Sequence, residues 1–189
     1  MIMSMYKQVC ITDRHLVAGD FLQQIRKVLS SGVDLLILRE KDMSPSDYRK
    51  LASEVIPICE KYGVICMLHS YVEVAKEINH PYIHLPYEAF CALNEEERKW
   101  FRMIGVSTHT VEEAIICQKL NASYITASHI FETACKQGLK PRGLIYLSEV
   151  CEAVNIPVYA LGGINKENAS ECIEAGATGV CMMSGWMRL

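Results

Sequence analysis

The sequence of 189 residues has no stretch that approaches the roughly 18 consecutive apolar residues of a membrane-spanning helix. It also has no excess of basic residues, since 19 Lys and Arg stand against 22 Asp and Glu and leave a net charge of −3. Its first residues lack a basic segment followed by an apolar one, which is the pattern of a secretory signal. We therefore expect a protein that binds neither nucleic acid nor a membrane.

Cysteine is abundant, with nine residues, yet no two of them form a Cys-x-x-Cys pair. The usual zinc and thioredoxin spacings are therefore missing. Most of the cysteines lie in apolar stretches, where a free thiol packs as a small hydrophobic group. We expect reduced thiols and a cytoplasmic protein. Cys135 differs because it stands beside Lys136 in a polar loop, where a thiolate is favoured, and its role stays open.

Short apolar runs alternate with longer amphipathic ones along the whole chain. Eight of these runs predict strands, at residues 8–12, 34–38, 64–68, 82–85, 102–106, 123–127, 157–161 and 179–182. Seven amphipathic segments between them predict helices. Continuous apolar strands separated by helices indicate a parallel sheet, and the length fits one domain over residues 1–189.

Eight such units predict an α/β protein, a compact (β/α)8 TIM barrel, with a doubly wound open sheet as the main alternative. The chain reaches Leu189 where the eighth helix should run, so we expect that last helix to be truncated or missing. The first and last strands would then lack a cover on their outer face. Because a second subunit could supply this cover, we expect a homodimer.

Polar or backbone-exposing residues follow nearly every predicted strand, at the barrel end where chemistry is usually found. They are Thr12–Arg14, Arg39–Lys41, His69–Ser70, Pro86–Tyr87, Ser107–His109, Ser128–His129, Gly162–Gly163 and Ser184–Gly185. Such a set favours a functional site over a merely structural barrel.

The segment from Gly162 to Asn165 is a candidate phosphate site. Its glycines let backbone N–H groups approach an anion, and Asn165 is expected to open a helix with a positive N-terminus. Ser184-Gly185 can add donors from the next loop. The alternative is a tight turn without a ligand.

The loop from Ser128 to Gly143 carries His129, Lys136 and Lys140, which could move protons and bind an anion. His129 could equally be an ordinary hydrogen-bonded residue. Arg39-Glu-Lys41 could be a substrate clamp or an internal ion-pair network. His69, His84 and His109 lack a diagnostic metal-binding spacing, so we expect no metal site.

Several blocks resemble those of the thiamine-phosphate synthase superfamily, which includes the TenI-type thiazole tautomerases. They cover nearly the whole chain and are Leu38-Arg-Glu-Lys-Asp42, Gly105-Val-Ser-Thr-His109, Ser128-His-Ile-Phe-Glu-Thr133, Leu161-Gly-Gly-Ile164 and Val180-Cys-Met-Met-Ser-Gly185. The resemblance implies the barrel and a thiazole phosphate as the small-molecule ligand.

The synthase branch of this superfamily departs from the chain at three places. The synthase pattern has Gln where Ile37 stands, Asn-Asp where His69-Ser70 stand, and a second metal-binding Asp at the place of Ala89. Mg²⁺ prefers oxygen ligands, and both carboxylates are replaced. The synthase reading is therefore disfavoured.

The tautomerase branch has a His before a hydrophobic-Phe-Glu-Thr block, then Cys-Lys and Arg-Gly, and the chain is similar at all of these positions. It departs at Ala134, where relatives have Asp, and at His69, where Asn is usual. The resemblance implies aromatisation of a carboxythiazole phosphate, with His129 as the catalytic acid and base and no cofactor. The implied substrate or phosphate contacts are Arg39, Lys41, Ser107, Thr133, Lys136, Gly162, Gly163, Met183 and Ser184.

Two other functions stay open at this point. The chain could bind a thiazole phosphate without turnover, as a regulatory protein. It could also be a synthase with relocated metal ligands. The role of Glu40, which could orient a neighbouring side chain or be structural, is open as well.

Overall fold

The computed structural model describes residues 6–133 and 138–189, and its eight strands form a closed, all-parallel barrel in chain order. The strands are β1 (Lys7–Ile11), β2 (Leu35–Leu38), β3 (Ile65–His69), β4 (Tyr82–Pro86), β5 (Met103–Thr108), β6 (Tyr124–Ser128), β7 (Val158–Leu161) and β8 (Gly179–Met182). Pairing of β1 with β8 closes the barrel, with Lys7 opposite Gly179. The predicted barrel is confirmed, and the doubly wound alternative is wrong.

Helices follow the strands on the outside of the barrel. They are α1 (Phe21–Ser30), α2 (Pro45–Lys61), α3 (Val72–Glu77), α4 (Tyr87–Ala92), α5 (Glu95–Trp100), α6 (Val111–Lys119), α7 (Gly143–Ala153), α8 (Ala169–Glu174) and α9 (Ser184–Met187). A 3-10 turn, Arg14–Leu16, follows β1. Over the described ranges no helix has the length and apolarity needed to cross a membrane.

Two helix starts show how local sequence sets these elements. Asn94 and Glu97 form a capping box at α5, each side chain bonding the other residue's backbone N–H. At α6 the Thr110 side chain accepts from the Glu113 N–H, but the Glu113 carboxylate accepts from the His109 N–H at 2.6 Å. The helix start therefore holds the backbone of His109 at the end of β5.

Asn165, which was predicted to open a helix, lies four residues before the first residue of α8, since this helix begins at Ala169 with Asn168 as its cap residue. The Asn165 side chain instead accepts from the N–H groups of Glu167 and Asn168, at 2.8 and 3.1 Å. These bonds close a turn that runs directly into the helix, since the Ala169 N–H donates to the Asn165 carbonyl at 3.1 Å.

Two layers of apolar side chains make up the core. One lies between the strands and the helices, and the other fills the barrel with Val9, Ile11, Leu35, Ile37, Met67, Tyr124 and Cys181. Gly105 makes room for the Tyr124 ring, because a methyl group at Gly105 would overlap that ring. Tyr124 can therefore lie inside the barrel, with its hydroxyl 3.0 Å from Nδ1 of His84.

The last strand is followed by α9, which is short as predicted but covers the barrel. Its Trp186 and Met187 are buried, and the Gln24 side chain of α1 donates to the Trp186 carbonyl at 2.7 Å. The expectation that β1 and β8 lack a cover is therefore wrong, because two large apolar side chains occupy that place. The homodimer stays a prediction without this support.

Replacing Trp186 tests the contribution of α9. We expect Trp186→Ala to lower the free energy of unfolding by about 3–5 kcal/mol, because it removes a buried aromatic side chain and leaves a cavity. Trp100→Ala is the matched control, since Trp100 is 37% exposed and its loss should cost much less. Urea unfolding followed by far-UV circular dichroism measures both, and equal losses would contradict the role given to α9.

Candidate active site

A cavity of about 510 Å³ opens at the carboxyl ends of the strands, within the size range of small-molecule sites. Every strand or the loop after it contributes to its lining. The predicted contacts that line it are His129, Arg39, Lys41, Ser107, Thr133, Gly162, Gly163, Met183 and Ser184. Lys136 and Cys135 lie outside the described residues.

His129 stands at the end of β6 and is almost completely buried. Its Nε2 lies 3.3 Å from the carbonyl oxygen of Leu139. A carbonyl can only accept a hydrogen bond, so this contact requires a proton on Nε2. In the ring with that single proton, Nδ1 carries the lone pair.

Gly162 and Gly163 have positive φ angles of 104° and 67° and press directly against the loop that carries His129. A methyl group on Gly162 would overlap the Cβ of His129, and one on Gly163 would overlap the Glu132 carbonyl oxygen. Two backbone hydrogen bonds of 3.0 Å, from Ile130 to Leu161 and from Phe131 to Gly162, join the two segments. This packing accounts for the glycines without a ligand, so phosphate binding stays a prediction.

Glu40 is a structural residue. Its buried carboxylate accepts from the Thr12 hydroxyl at 2.7 Å and from Nη1 of Arg14 at 3.1 Å. Arg14 also binds Asp42 through two hydrogen bonds of 2.6 Å, which hold the pKa of that carboxyl well below its usual range. The ion-pair network predicted as an alternative for this segment is present, and it is centred on Glu40.

The same network fixes the backbone on which Arg39 and Lys41 stand. The Thr12 hydroxyl that donates to Glu40 also accepts from the Arg39 N–H at 2.9 Å. Arg39 and Lys41 flank Glu40 in the chain and line the cavity, so Glu40 points away from the ligand space while its neighbours face it. Glu40 therefore belongs to an internal ion-pair network, while Arg39 and Lys41 form a positively charged side of the cavity, here called the cationic wall.

Two histidines form the polar floor of the cavity. His84 bonds the Tyr124 hydroxyl at 3.0 Å through Nδ1 and the Ser107 hydroxyl at 2.8 Å through Nε2. His69 bonds the Ser70 hydroxyl at 2.8 Å. Burial lowers the pKa of His84 to about 3 and, with His84 and the charges of Arg39 and Lys41, that of His69 to about 2. Both rings are therefore neutral near pH 7.

These histidines and Glu132 also line the cavity but are absent from the predicted contacts. The position of His69 and His84 at or near the ends of predicted strands is the sequence feature that could have identified them as lining residues. His109 is a further histidine in the cavity lining, and its Nδ1 lies 3.1 Å from the Ser128 carbonyl oxygen. Over the described ranges, no three His, Cys, Asp or Glu side chains are grouped so that they could hold a metal ion.

Comparison with known proteins adds an independent result. The family described as thiamine monophosphate synthase matches residues 8–186. "Putative thiamine-phosphate synthase 2" of Aquifex aeolicus is 36% identical over 182 residues, which cover 96% of this chain and 98% of that protein. A thiamine-phosphate synthase of Clostridium acetobutylicum is 32% identical over 182 residues, covering 95% and 86% of the two chains.

A solved structure agrees with these sequence matches. "Thiamine phosphate pyrophosphorylase from Pyrococcus furiosus" superposes with a TM-score of 0.83 and 27% identity. The match covers 97% of this chain and 88% of that one.

The contact between the glycine turn and the His129 loop can be tested with two matched variants. Gly163 and Gly63 have nearly the same φ, 67° and 69°, but only Gly163 has neighbours within 4 Å of an added Cβ. Gly63→Ala should therefore cost only the strain of that φ, about 1–2 kcal/mol. Gly163→Ala should cost about 1–3 kcal/mol more, because its methyl group overlaps the Glu132 carbonyl. Urea unfolding measures the two losses of unfolding free energy. Equal losses would show that the His129 loop can move away from an added methyl group and that the contact does not position it.

The role of Glu40 can be tested by Glu40→Gln, which removes the charge facing Arg14. We expect the free energy of unfolding to fall by about 1–3 kcal/mol, because the partly buried contact between Glu40 and Arg14 loses its ion pair. Asp42→Asn is the control, since Asp42 is exposed and should contribute less. Thermal unfolding of both variants provides the measurement. A larger effect at Asp42 would contradict the central place of Glu40.

Proposed function

Because the chain belongs to the thiamine monophosphate synthase family, we propose that it is the thiazole tautomerase type of that family and aromatises a carboxythiazole phosphate. The observation that carries this proposal is the composition of the cavity. His129 shares it with Arg39 and Lys41, while Glu132 is the one carboxylate in its described lining. Such a site suits proton transfer on an anionic substrate.

The proposed reaction moves one proton and changes no oxidation state. Nδ1 of His129 removes the proton from the ring carbon that bears the carboxylate. The electron pair released there enters the ring and shifts the exocyclic double bond into it. The exocyclic carbon then takes a proton from the imidazolium, which returns the histidine to its neutral form. One group that serves as base and then as acid is sufficient.

The other proposed contacts hold the two anionic groups of the substrate. Backbone N–H groups of Gly162, Gly163 and Ser184, beside Met183, bind the phosphate from the loops after β7 and β8. That is the usual place for phosphate in such barrels. Arg39 and Lys41 approach from the loop after β2 and offset the charge of the carboxylate. Binding both ends of the substrate keeps the ring between them.

Ser107 and Thr133 are the remaining described candidates. The Ser107 hydroxyl bonds Nε2 of His84 at 2.8 Å and Oγ1 of Thr126 at 3.3 Å. The main role that we assign to the Ser107 hydroxyl is therefore to orient the His84 ring at the floor of the cavity, and contact with the ligand is secondary. Thr133 stands at the mouth, just before the part of the chain that contains Lys136, whose contact with the substrate stays a prediction.

The names of the relatives favour a second candidate, a thiamine-phosphate synthase. The resemblance implies that such an enzyme joins two substrates with loss of pyrophosphate. The resemblance implies Mg²⁺ for that reaction, and oxygen ligands would have to hold it. The donor set does not fit, because Ser70 and Ala89 stand at the two expected carboxylate positions. Glu132 is a single carboxylate and cannot by itself supply the oxygen ligands that Mg²⁺ needs.

The decisive experiment follows the thiazole tautomer by NMR in D₂O with EDTA present. We expect rapid aromatisation, with deuterium at the exocyclic carbon to the extent that the imidazolium exchanges its proton with solvent, and a loss of at least about 100-fold in His129→Ala. His80→Ala is the control, because His80 bonds the Cys66 carbonyl and does not line the cavity.

Aromatisation no faster than in buffer would overturn the tautomerase proposal. Binding of the aromatic product without turnover would then favour the regulatory protein. Mg²⁺-dependent formation of thiamine phosphate from the two synthase substrates would favour the synthase.

A further inference from the structure

We propose that His69 is a specificity-determining residue that binds the substrate carboxylate. Its Nε2 donates a hydrogen bond to a carboxylate held between Arg39 and Lys41, without a metal ion. The proposal rests on the tautomerase function and deepens it, since it assigns the subsite for one end of the substrate.

The first observation is the hydrogen bonding of the two rings in the cavity floor. Both nitrogens of His84 are engaged, by Tyr124 and Ser107. His69 is engaged at Nδ1 by Ser70, and no partner within residues 6–133 and 138–189 bonds its Nε2. Because His69 lines the cavity, Nε2 is the ring nitrogen that remains for a ligand.

The second observation is that several contacts fix the His69 ring. The Tyr48 hydroxyl accepts from the His69 N–H at 2.9 Å and donates to the Leu38 carbonyl at 2.6 Å. The ring lies nearly parallel to that of His84, with centroids 5.7 Å apart. Ser70 has a φ of 71°, an uncommon conformation for a non-glycine residue. Its own N–H donates to the His84 carbonyl at 3.0 Å.

This arrangement favours one tautomer of His69 when an anion is present. If the Ser70 hydroxyl donates to Nδ1, the ring proton is on Nε2 and can be donated to a carboxylate oxygen. The charges of Arg39 and Lys41 disfavour a charged His69. Both cations line the same cavity as His69, so their charge favours an anion there. The subsite therefore consists of two cations and one neutral N–H donor.

The position of the subsite determines how the substrate lies. In an eight-stranded closed barrel β3 stands opposite β7, so His69 faces the Gly162–Gly163 turn across the cavity. A substrate with its phosphate at that turn would place its carboxylate near His69. The ring would then lie between the two anionic groups, within the space that His129 also lines.

Binding, measured apart from turnover, tests this inference. Isothermal titration in EDTA would compare the aromatic carboxythiazole phosphate with the same thiazole phosphate lacking the carboxylate. We expect His69→Leu to weaken binding of the carboxylated ligand by about 10-fold or more, as for loss of a hydrogen bond to a charged group. Binding of the ligand without a carboxylate should change less than about 2-fold. His69→Asn, which keeps a donor, should recover part of the affinity, and His80→Leu is the control.

The outcomes separate this inference from the proposed function. Equal weakening of both ligands in His69→Leu overturns the carboxylate subsite, even if the wild-type protein turns over its substrate. Selective weakening supports the subsite even if the wild-type protein shows no turnover. Binding that requires added Mg²⁺, or no binding of either ligand by the wild-type protein, overturns the subsite.

Discussion

The position of His129 depends on the close contact between the loop after β6 and the turn after β7. This contact exists only because Gly162 and Gly163 have no side chains, and each faces backbone or Cβ atoms of the neighbouring loop. The glycines thus have a structural task that precedes any ligand. The glycine turn that packs against the His129 loop is also the candidate phosphate site. A single contact between two loops therefore positions both the candidate acid and base and the candidate phosphate site.

The barrel could be predicted from the sequence because its signal is repeated. Each strand is a short, continuous apolar run, and the polar residues that follow it reach the same end of a parallel barrel. Position at a strand end was therefore enough to bring residues as distant in the chain as Arg39, Ser107 and Ser184 to one cavity. The resemblance to a known family added the chemistry, which strand ends alone do not specify.

Three features escaped prediction from the sequence, each for its own physical reason. Glu40 pairs with Thr12 and Arg14, more than 25 positions away, and only the fold shows which way its carboxylate points. The cover supplied by α9 was missed because a single turn with one tryptophan has no periodicity to recognise. The turn at Asn165 was read as a helix start because an Asn side chain closes both structures in the same way.

We propose that this cavity holds an anionic thiazole between the glycine turn after β7 and the cationic wall of Arg39 and Lys41, with its ring at His129. The first measurement to make is a crystal structure of the protein with bound carboxythiazole phosphate. We expect the phosphate at Gly163 and Ser184, the carboxylate near Arg39 and Lys41, and the reacting ring carbon about 3–3.5 Å from Nδ1 of His129. A ligand bound in the reverse orientation, or with its ring away from His129, would rule this proposal out.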